Sequence, residues 1–391
     1  MRLLGAAAIQ IQSVTIGWEV YDRTGDPLAL AGVGLAQFLP LILLSLYAGS
    51  FADRYDRRLT LTVCRGLYAS GAFALALLSS REGTDVWPIY AVLVGLGATR
   101  AFSWSAGSSL LPNLVSADNL SRAIALSSTS FQVATIGGPA LAGLVLSWVG
   151  PSGAYMLSAV LSLVSMALVL LVRPRPFVPV TGESGWARLL GGLRFVFRKR
   201  IVLGAISLDL FAVLLGGAVA LMPIYAEDIL KVGTTGFGFL RSAPAVGALV
   251  VALILASRPM ERQAGLKMFM GVGLFGVGTL IFALSTNFIL SLAALVLIGA
   301  ADMVSVVVRL SLIQLHTPDG LRGRVSAVNM VFIGASNELG EFESGLTARL
   351  FGTVRAAVLG GIGTLIITGL WASLFPELRK IDRLEADETD V

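Results

Sequence analysis

The sequence predicts an all-α membrane protein of twelve transmembrane helices in two related halves of six. Three observations predict it. Charged residues make up only 14% of the 391 residues while 55% are hydrophobic, against about 25% charged in soluble domains. Long stretches carry no Asp, Glu, Lys or Arg at all: 27–52, 123–172, 268–301 and 356–376. One half of the chain can also be laid on the other at an offset near 202 residues.

A helix needs about 20 apolar residues to cross the hydrocarbon core. The run 123–172 is therefore two spans, broken at Gly150-Pro151-Ser152-Gly153. Membrane strands would alternate with period two over about ten residues, and these runs do not alternate. The spans read from the sequence are 3–22, 28–51, 59–79, 87–110, 121–148, 153–172, 202–226, 235–256, 267–285, 289–314, 322–349 and 353–375. They group into a first half (1–172), a linker (173–200), a second half (201–376) and a tail (377–391). The first span opens almost at Met1, which reads as a shortened first helix or a late start.

The net charge of +5 is not spread evenly. Arg54, Arg57 and Arg58 follow the second span. Arg173, Arg175, Arg188, Arg194, Arg198, Lys199 and Arg200 fill the linker, and Arg258, Arg262 and Lys267 follow the eighth span. Arg322, Arg324, Arg379, Lys380 and Arg383 complete the set. If the helices alternate, all these loops lie on one side, and the opposite loops have no such excess. This is the positive-inside pattern, which puts both termini in the cytoplasm and argues against nucleic acid as the partner. In the linker, Pro174, Pro176 and Pro179 forbid a helix. Trp186, Leu189, Leu190, Leu193 and Phe197 then recur at helical spacing against Arg188, Arg194 and Arg198. That reads as an amphipathic helix on the inner leaflet, with a plain helix-forming linker as the alternative.

Function classes narrow at once. A single cysteine, Cys64, and a single histidine, His316, leave no nucleophile–base set, zinc cluster or disulfide frame. No Walker sequence is present, so the chain is not a self-contained ATP-driven pump. The expectation is a non-enzyme with no cofactor and no metal site.

The repeat sets 120–125 on 322–327, Gly138 on Gly340 and Gly143 on Gly345. An offset of about 204 sets Pro40 on Pro244 and Arg58 on Arg262. A single substrate path would then lie between the halves near the midplane.

Two motifs carry a family resemblance. In the loop after the second span, Gly49-Ser50-Phe51-Ala52-Asp53-Arg54-Tyr55-Asp56-Arg57-Arg58 resembles the G-x-x-x-D-R-x-x-R-R/K signature of the major facilitator superfamily. Gly49 allows close helix approach, and Asp53 can pair with Arg57, Arg58 or a helix terminus, a latch that holds one conformation. In the fifth span, Gly137-Gly138-Pro139-Ala140-Leu141-Ala142-Gly143 resembles the antiporter motif of proton-driven exporters, with Ala142 in place of one glycine. Pro139 removes a backbone hydrogen bond while Gly138 and Gly143 permit tight packing, giving a bend and a helix contact; a plain packing patch is the alternative. With Trp18–Gly25, Gln37–Pro40 and Gly334–Gly345, the chain resembles over its whole length the bacterial branch of enterobactin exporters and macrolide-efflux proteins. That resemblance implies the major facilitator fold and a bacterial cytoplasmic-membrane exporter of a drug, siderophore or metabolite. It also implies coupling to protons; a monomer is the expected working form.

Ionisable groups inside spans are functional candidates by default. Arg100 lies in the fourth span, Asp209 in the seventh, Asp302 and Arg309 in the tenth, and Glu338, Glu341 and Glu343 in the eleventh. Glu338 and Glu341 share a helix face. Two acids so close in a low dielectric compete for a proton, as a coupling site requires. The alternative is that the acids pair with Arg100 or Arg309 as structural locks. Glu19 and Asp22 sit near the outer end of the first span, where a mouth or helix-end role is the more natural one. The leading expectation is a proton-coupled exporter working by alternating access; a nutrient importer of the same fold and a non-transporting membrane sensor are the alternatives.

Overall fold

All secondary structure among the described residues is helical. The computed structural model describes the chain except residues 82, 84, 112–113, 115–116, 173–184, 259–261 and 383–391, and except the side chains at 46, 49–50, 52–54, 108–109, 117–118, 120–121, 124–125, 185–189, 218 and 319–320. The helices are α1 Arg2–Thr24, α2 Pro27–Arg54, α3 Arg57–Ser79, α4 Trp87–Leu110, α5 Ala117–Leu171, α6 Gly185–Arg198, α7 Arg200–Leu215, α8 Met222–Ile224, α9 Gly233–Ser257, α10 Ala264–Leu284, α11 Phe288–Leu315, α12 Asp319–Phe351, α13 Thr353–Leu374 and α14 Pro376–Arg379.

Among the described residues, eight helical segments are long and apolar enough to cross a membrane. One of them, Leu126–Leu171, has 46 residues, about twice a single crossing. α1, α4 and α12 are not among the eight, so the count of twelve stays a reading of the sequence. Large apolar side chains stand on the outside: Trp148 is 78% exposed and Leu171 76%. Such a surface belongs in hydrocarbon. Hydroxyls inside the helices answer the same solvent. Thr15, Thr99, Thr279 and Thr368 each donate to the carbonyl one turn back, leaving no donor bare to lipid.

Local chemistry sets most boundaries. α1 stops at Gly25, whose left-handed φ of 58° lets its N–H reach Tyr21 O. Asp26 then caps α2, its side chain accepting from Leu28 N, and Pro27 stands at the first helical position. The expected break within α5 occurs at Gly150, the one non-helical residue in that segment.

Two boundaries differ from the sequence reading. The stretch Gly49–Arg54 is not a loop but the last turns of α2. No residue between them breaks a helix, and only Tyr55 and Asp56 separate α2 from α3. The seventh span is not one helix over 202–226. α7 ends at Leu215, followed by a 3-10 turn at Ala218–Leu221, the short α8 and a π turn at Tyr225–Ile229. Gly216 and Gly217 favour coil over helix, and Pro223 withholds a backbone donor.

The described chain divides into two compact units. The first holds Met1–Gly185 together with Met222–Ser242. Within it α1 packs on α5, α2 on α4, and α3 on both α4 and α5, around buried Ile11, Leu75, Leu93 and Tyr155. Arg58 ties the start of α3 to the end of α5 by donating to Leu170 O, and Arg23 ties the end of α1 to Leu78 O at 3.1 Å. The second unit holds Trp186–Leu221 and Ala243–Val391. There α10 packs on α11 and α13, and α7 on α12 and α13. Pro40 and Pro244, which the repeat superimposes, both lie inside helices, α2 and α9.

Asp56 Oδ1 accepts from Arg58 N at 2.8 Å and Leu59 N at 3.2 Å, satisfying donors that would otherwise face the membrane edge unpaired. Asp56→Ala is expected to destabilise the protein by about 1 kcal/mol, with Asp56→Ser largely restoring it. Thermal unfolding of the purified protein in detergent checks this.

Candidate functional site

The second unit carries a charged cluster in its apolar interior. α7 contributes Asp209. α11 contributes Asp302, Ser305 and Arg309, whose spacing places them along one helix face. Arg309 Nη1 forms an ion pair with Asp209 Oδ1, and both residues are buried. Asp209, Asp302 and Ser305 line one small cavity with Ala212, Val213, Val272 and Phe275. Leu208, Met268, Phe269, Val308 and Leu312 form the buried apolar core next to it.

Neighbouring helices hold this geometry. Thr364 on α13 donates to Ala212 O on α7 at 3.1 Å. Trp371 Nε1 donates to Ser207 Oγ at 2.9 Å. Both contacts fix α7 within about a turn of Asp209. Asp302 makes no hydrogen bond or ion pair among the described residues, and Arg309 Nε is buried without an acceptor. The cluster thus contains one committed ion pair, one acid outside that pair, and one spare guanidinium donor. Chemically, Asp302 can take up a proton without admitting a new charge to the hydrocarbon.

The other candidates fall into distinct settings. Glu338 is buried on α12, and Glu341 is half-buried one turn along; each is engaged with a polar or charged neighbour. Glu343 accepts from Thr347 Oγ1 at 2.7 Å, a contact within its own helix. Arg100 on α4 lies beside buried Tyr68. Glu19 is buried and pairs at 2.7 Å with Arg23, one turn along α1. The backbone of Gly49, Asp53 and Arg54 is helical, while their side chains lie outside the described residues.

In the first unit, the Gly138-Pro139-Gly143 segment of α5 lies against two helices. A Cβ at Gly138 would fall 2.7 Å from Gln10 Cβ on α1. A Cβ at Gly143 would fall 2.9 Å from Gly238 Cα on α9, and one at Gly238 would fall 2.6 Å from Pro139 O. Only glycine at both places lets these backbones meet. Close by in the same unit, Trp18 and Phe237 rings stand 5.7 Å apart, and the Tyr21 hydroxyl donates to Asp228 Oδ2.

The sequence reading does not single out Asp228, Gly238 or Arg65. Asp228 reads there as one acid of an ordinary loop, and Gly238 as one glycine among 44. Arg65 gave a usable signal, the one charge in α3 beyond Arg57 and Arg58 at its start. Its Nε and Nη1 are buried without acceptors, and its guanidinium lies on Gly5, where a Cβ would come within 2.5 Å of Cζ.

The chain is similar to known proteins along nearly its whole length. The family profile described as transmembrane secretion effector matches residues 2–390. The chain is 27% identical to the enterobactin exporter EntS of Shigella boydii serotype 18, covering 97% of this chain and 89% of that one. It is 26% identical to EntS of Escherichia coli O139:H28, with the same coverage. Among solved structures it is similar to a point mutant of the nucleoside transporter NupG, with a TM-score of 0.75 at 12% identity over 96% of this chain and 98% of that one. It is also similar to a bacterial homologue of the iron transporter ferroportin in an inward-facing state, with a TM-score of 0.71 at 16% identity over 97% of each chain.

The α5–α9 crossing generates a direct test. Gly238→Leu is expected to destabilise the protein by about 1–3 kcal/mol through overpacking against Pro139 and Gly143. Gly137→Leu, at a position open to space, is expected to leave the thermal unfolding midpoint unchanged.

Proposed function

The chain belongs to the transmembrane secretion effector family and is a multi-pass membrane transporter of the major facilitator fold, and on that premise we propose that it exports a small molecule from a bacterial cytoplasm by proton antiport. Export follows the family and the two exporters named above. Enterobactin, the substrate in those exporters' names, is the first compound to try, with other siderophores, drugs and metabolites behind it. The proposed topology is two halves of six helices, a single working copy, and both termini on the cytoplasmic side.

The observation that carries proton coupling is Asp302, an acid outside any ion pair among the described residues, which lines the same cavity as Asp209, the partner of Arg309. With Asp302 protonated, Arg309 is answered by Asp209 alone. With Asp302 ionised, two carboxylates face one cavity with a single guanidinium paired there, and the balance of α7 against α11 changes. A proton therefore has differential free energy in two arrangements of these helices, which is the condition for driving alternating access. Glu338 and Glu341 are the proposed second acid site, on the neighbouring α12, and Arg100 and Glu19 complete the candidate set. The contacts of Tyr21 with Asp228 and of Gly143 with Gly238 are the ones proposed to part when substrate leaves on the outer side.

In proteoliposomes with an imposed pH gradient, efflux of the accepted substrate is expected to collapse on addition of an uncoupler. Asp302→Asn is expected to lose gradient-driven accumulation by at least about tenfold while keeping substrate exchange between equal pools. Full accumulation with Asp302→Asn would remove this residue from the coupling path. Arg309→Ala is expected to destabilise the protein by about 3–5 kcal/mol by stranding Asp209. The double change Asp209→Asn with Arg309→Gln is expected to recover much of that loss in thermal unfolding.

A further inference from the structure

The linker helix α6 is two-faced in a way its sequence does not show. Val196 is fully buried in a core cluster with Val202, Ile206, Ile313, Val325 and Val328, and Leu193 and Phe195 pack against it. Gly192 lies on α12 so closely that a Cβ there would come 2.6 Å from Arg324 O. One side of α6 is thus part of the second unit's interior. The apolar stripe of the sequence is split between this interior and the outside.

The opposite side is bare. Leu190 is 56% exposed and Phe197 60% exposed, and Arg194 and Arg198 are exposed between and beside them. At 100° per residue these four side chains occupy one arc of about 100°. Neither Arg194 nor Arg198 has an ion-pair partner among the described residues. α6 runs directly into α7, which opens the apolar segment Arg200–Ile229, long enough to cross a membrane, so this arc is held at the level where a membrane begins. Two large apolar side chains with two unanswered cations complement a surface of negative headgroups over hydrocarbon.

We infer that the outward arc of α6, formed by Leu190, Arg194, Phe197 and Arg198, is a docking surface for anionic phospholipid headgroups. Phe197 and Leu190 enter the acyl boundary while the two guanidinium groups hold phosphates. Guanidinium recognises phosphate with paired donors, and each arginine near an anionic surface favours it about fivefold. Because the other face of α6 rests on Arg324 and Val328, lipid held here bears on the first turns of α12.

The test uses the full chain in vesicles. Phe197→Cys, in a Cys64→Ala background, is labelled with a lipid-quenchable fluorophore. Cys64 is buried, so the otherwise native chain serves equally if Cys64→Ala fails to fold. Vesicles contain either brominated phosphatidylcholine or brominated phosphatidylglycerol at the same mole fraction. Quenching by the brominated phosphatidylglycerol is expected to be several-fold stronger, and Arg194→Gln with Arg198→Gln is expected to bring the two lipids to equal quenching. Equal quenching in the chain that keeps both arginines would overturn the inference, because the face would then be greasy without selecting charge. Absence of quenching by either lipid would overturn it as well, because the arc would then face water or protein.

Discussion

Hydrocarbon offers a polar group no partner, and the described architecture follows from that constraint. It turns all the described secondary structure into helix, bends threonine hydroxyls back onto their own carbonyls, and makes each charge inside a span a matter of pairing. The Asp209–Arg309 ion pair is where the constraint bears hardest. Neither charge could sit in that apolar core alone, so α7 and α11 are tied to one another wherever else they move. Asp302 then stands out by contrast as a carboxyl group in the same cavity for which the chain supplies no such fixed answer.

A second consequence of the same solvent is that helices cannot be driven together by burying apolar surface, since lipid tails are as apolar as leucine. Close backbone approach takes over. The Gly143–Gly238 crossing in the first unit and the seat of Gly192 on Arg324 in the second are contacts of this kind. Each works because a side chain is missing, and each places a polar feature nearby: the Tyr21–Asp228 hydrogen bond in one case, the arginines of α6 in the other.

Much of this was legible in the sequence, and the reason is solvent again. Runs without charge announce spans, and a lone acid in such a run announces itself, so Asp209, Asp302 and Arg309 were all visible as candidates. Their pairing was not, because Asp209 and Arg309 are a hundred residues apart and only the packing of α7 on α11 joins them. Glycine contacts were half visible. Gly138 and Gly143 stand in a motif, whereas Gly238 has no local sign of the partner it meets. Gly49–Arg54 was misread as a loop because charge was taken to end the helix, yet nothing there breaks one. The amphipathic pattern of α6 was visible, but which of its apolar residues turn inward depended on the position of α12.

The irregular passage from Gly216 to Ile229 bears on how this chain can vary. A helix that crosses a membrane normally has a fixed length in residues, since adding or losing one rotates everything downstream by 100°. Here the backbone passes through a 3-10 turn, which stretches it, and a π turn, which holds one residue more per loop of hydrogen bonds. Asp209 is set before that passage and Asp228 at its end. A residue gained or lost between them can be absorbed in the change of winding, leaving the buried ion pair and the contact to Tyr21 each in register. The segment acts as a splice in which length can drift while the chemistry on either side stays in place.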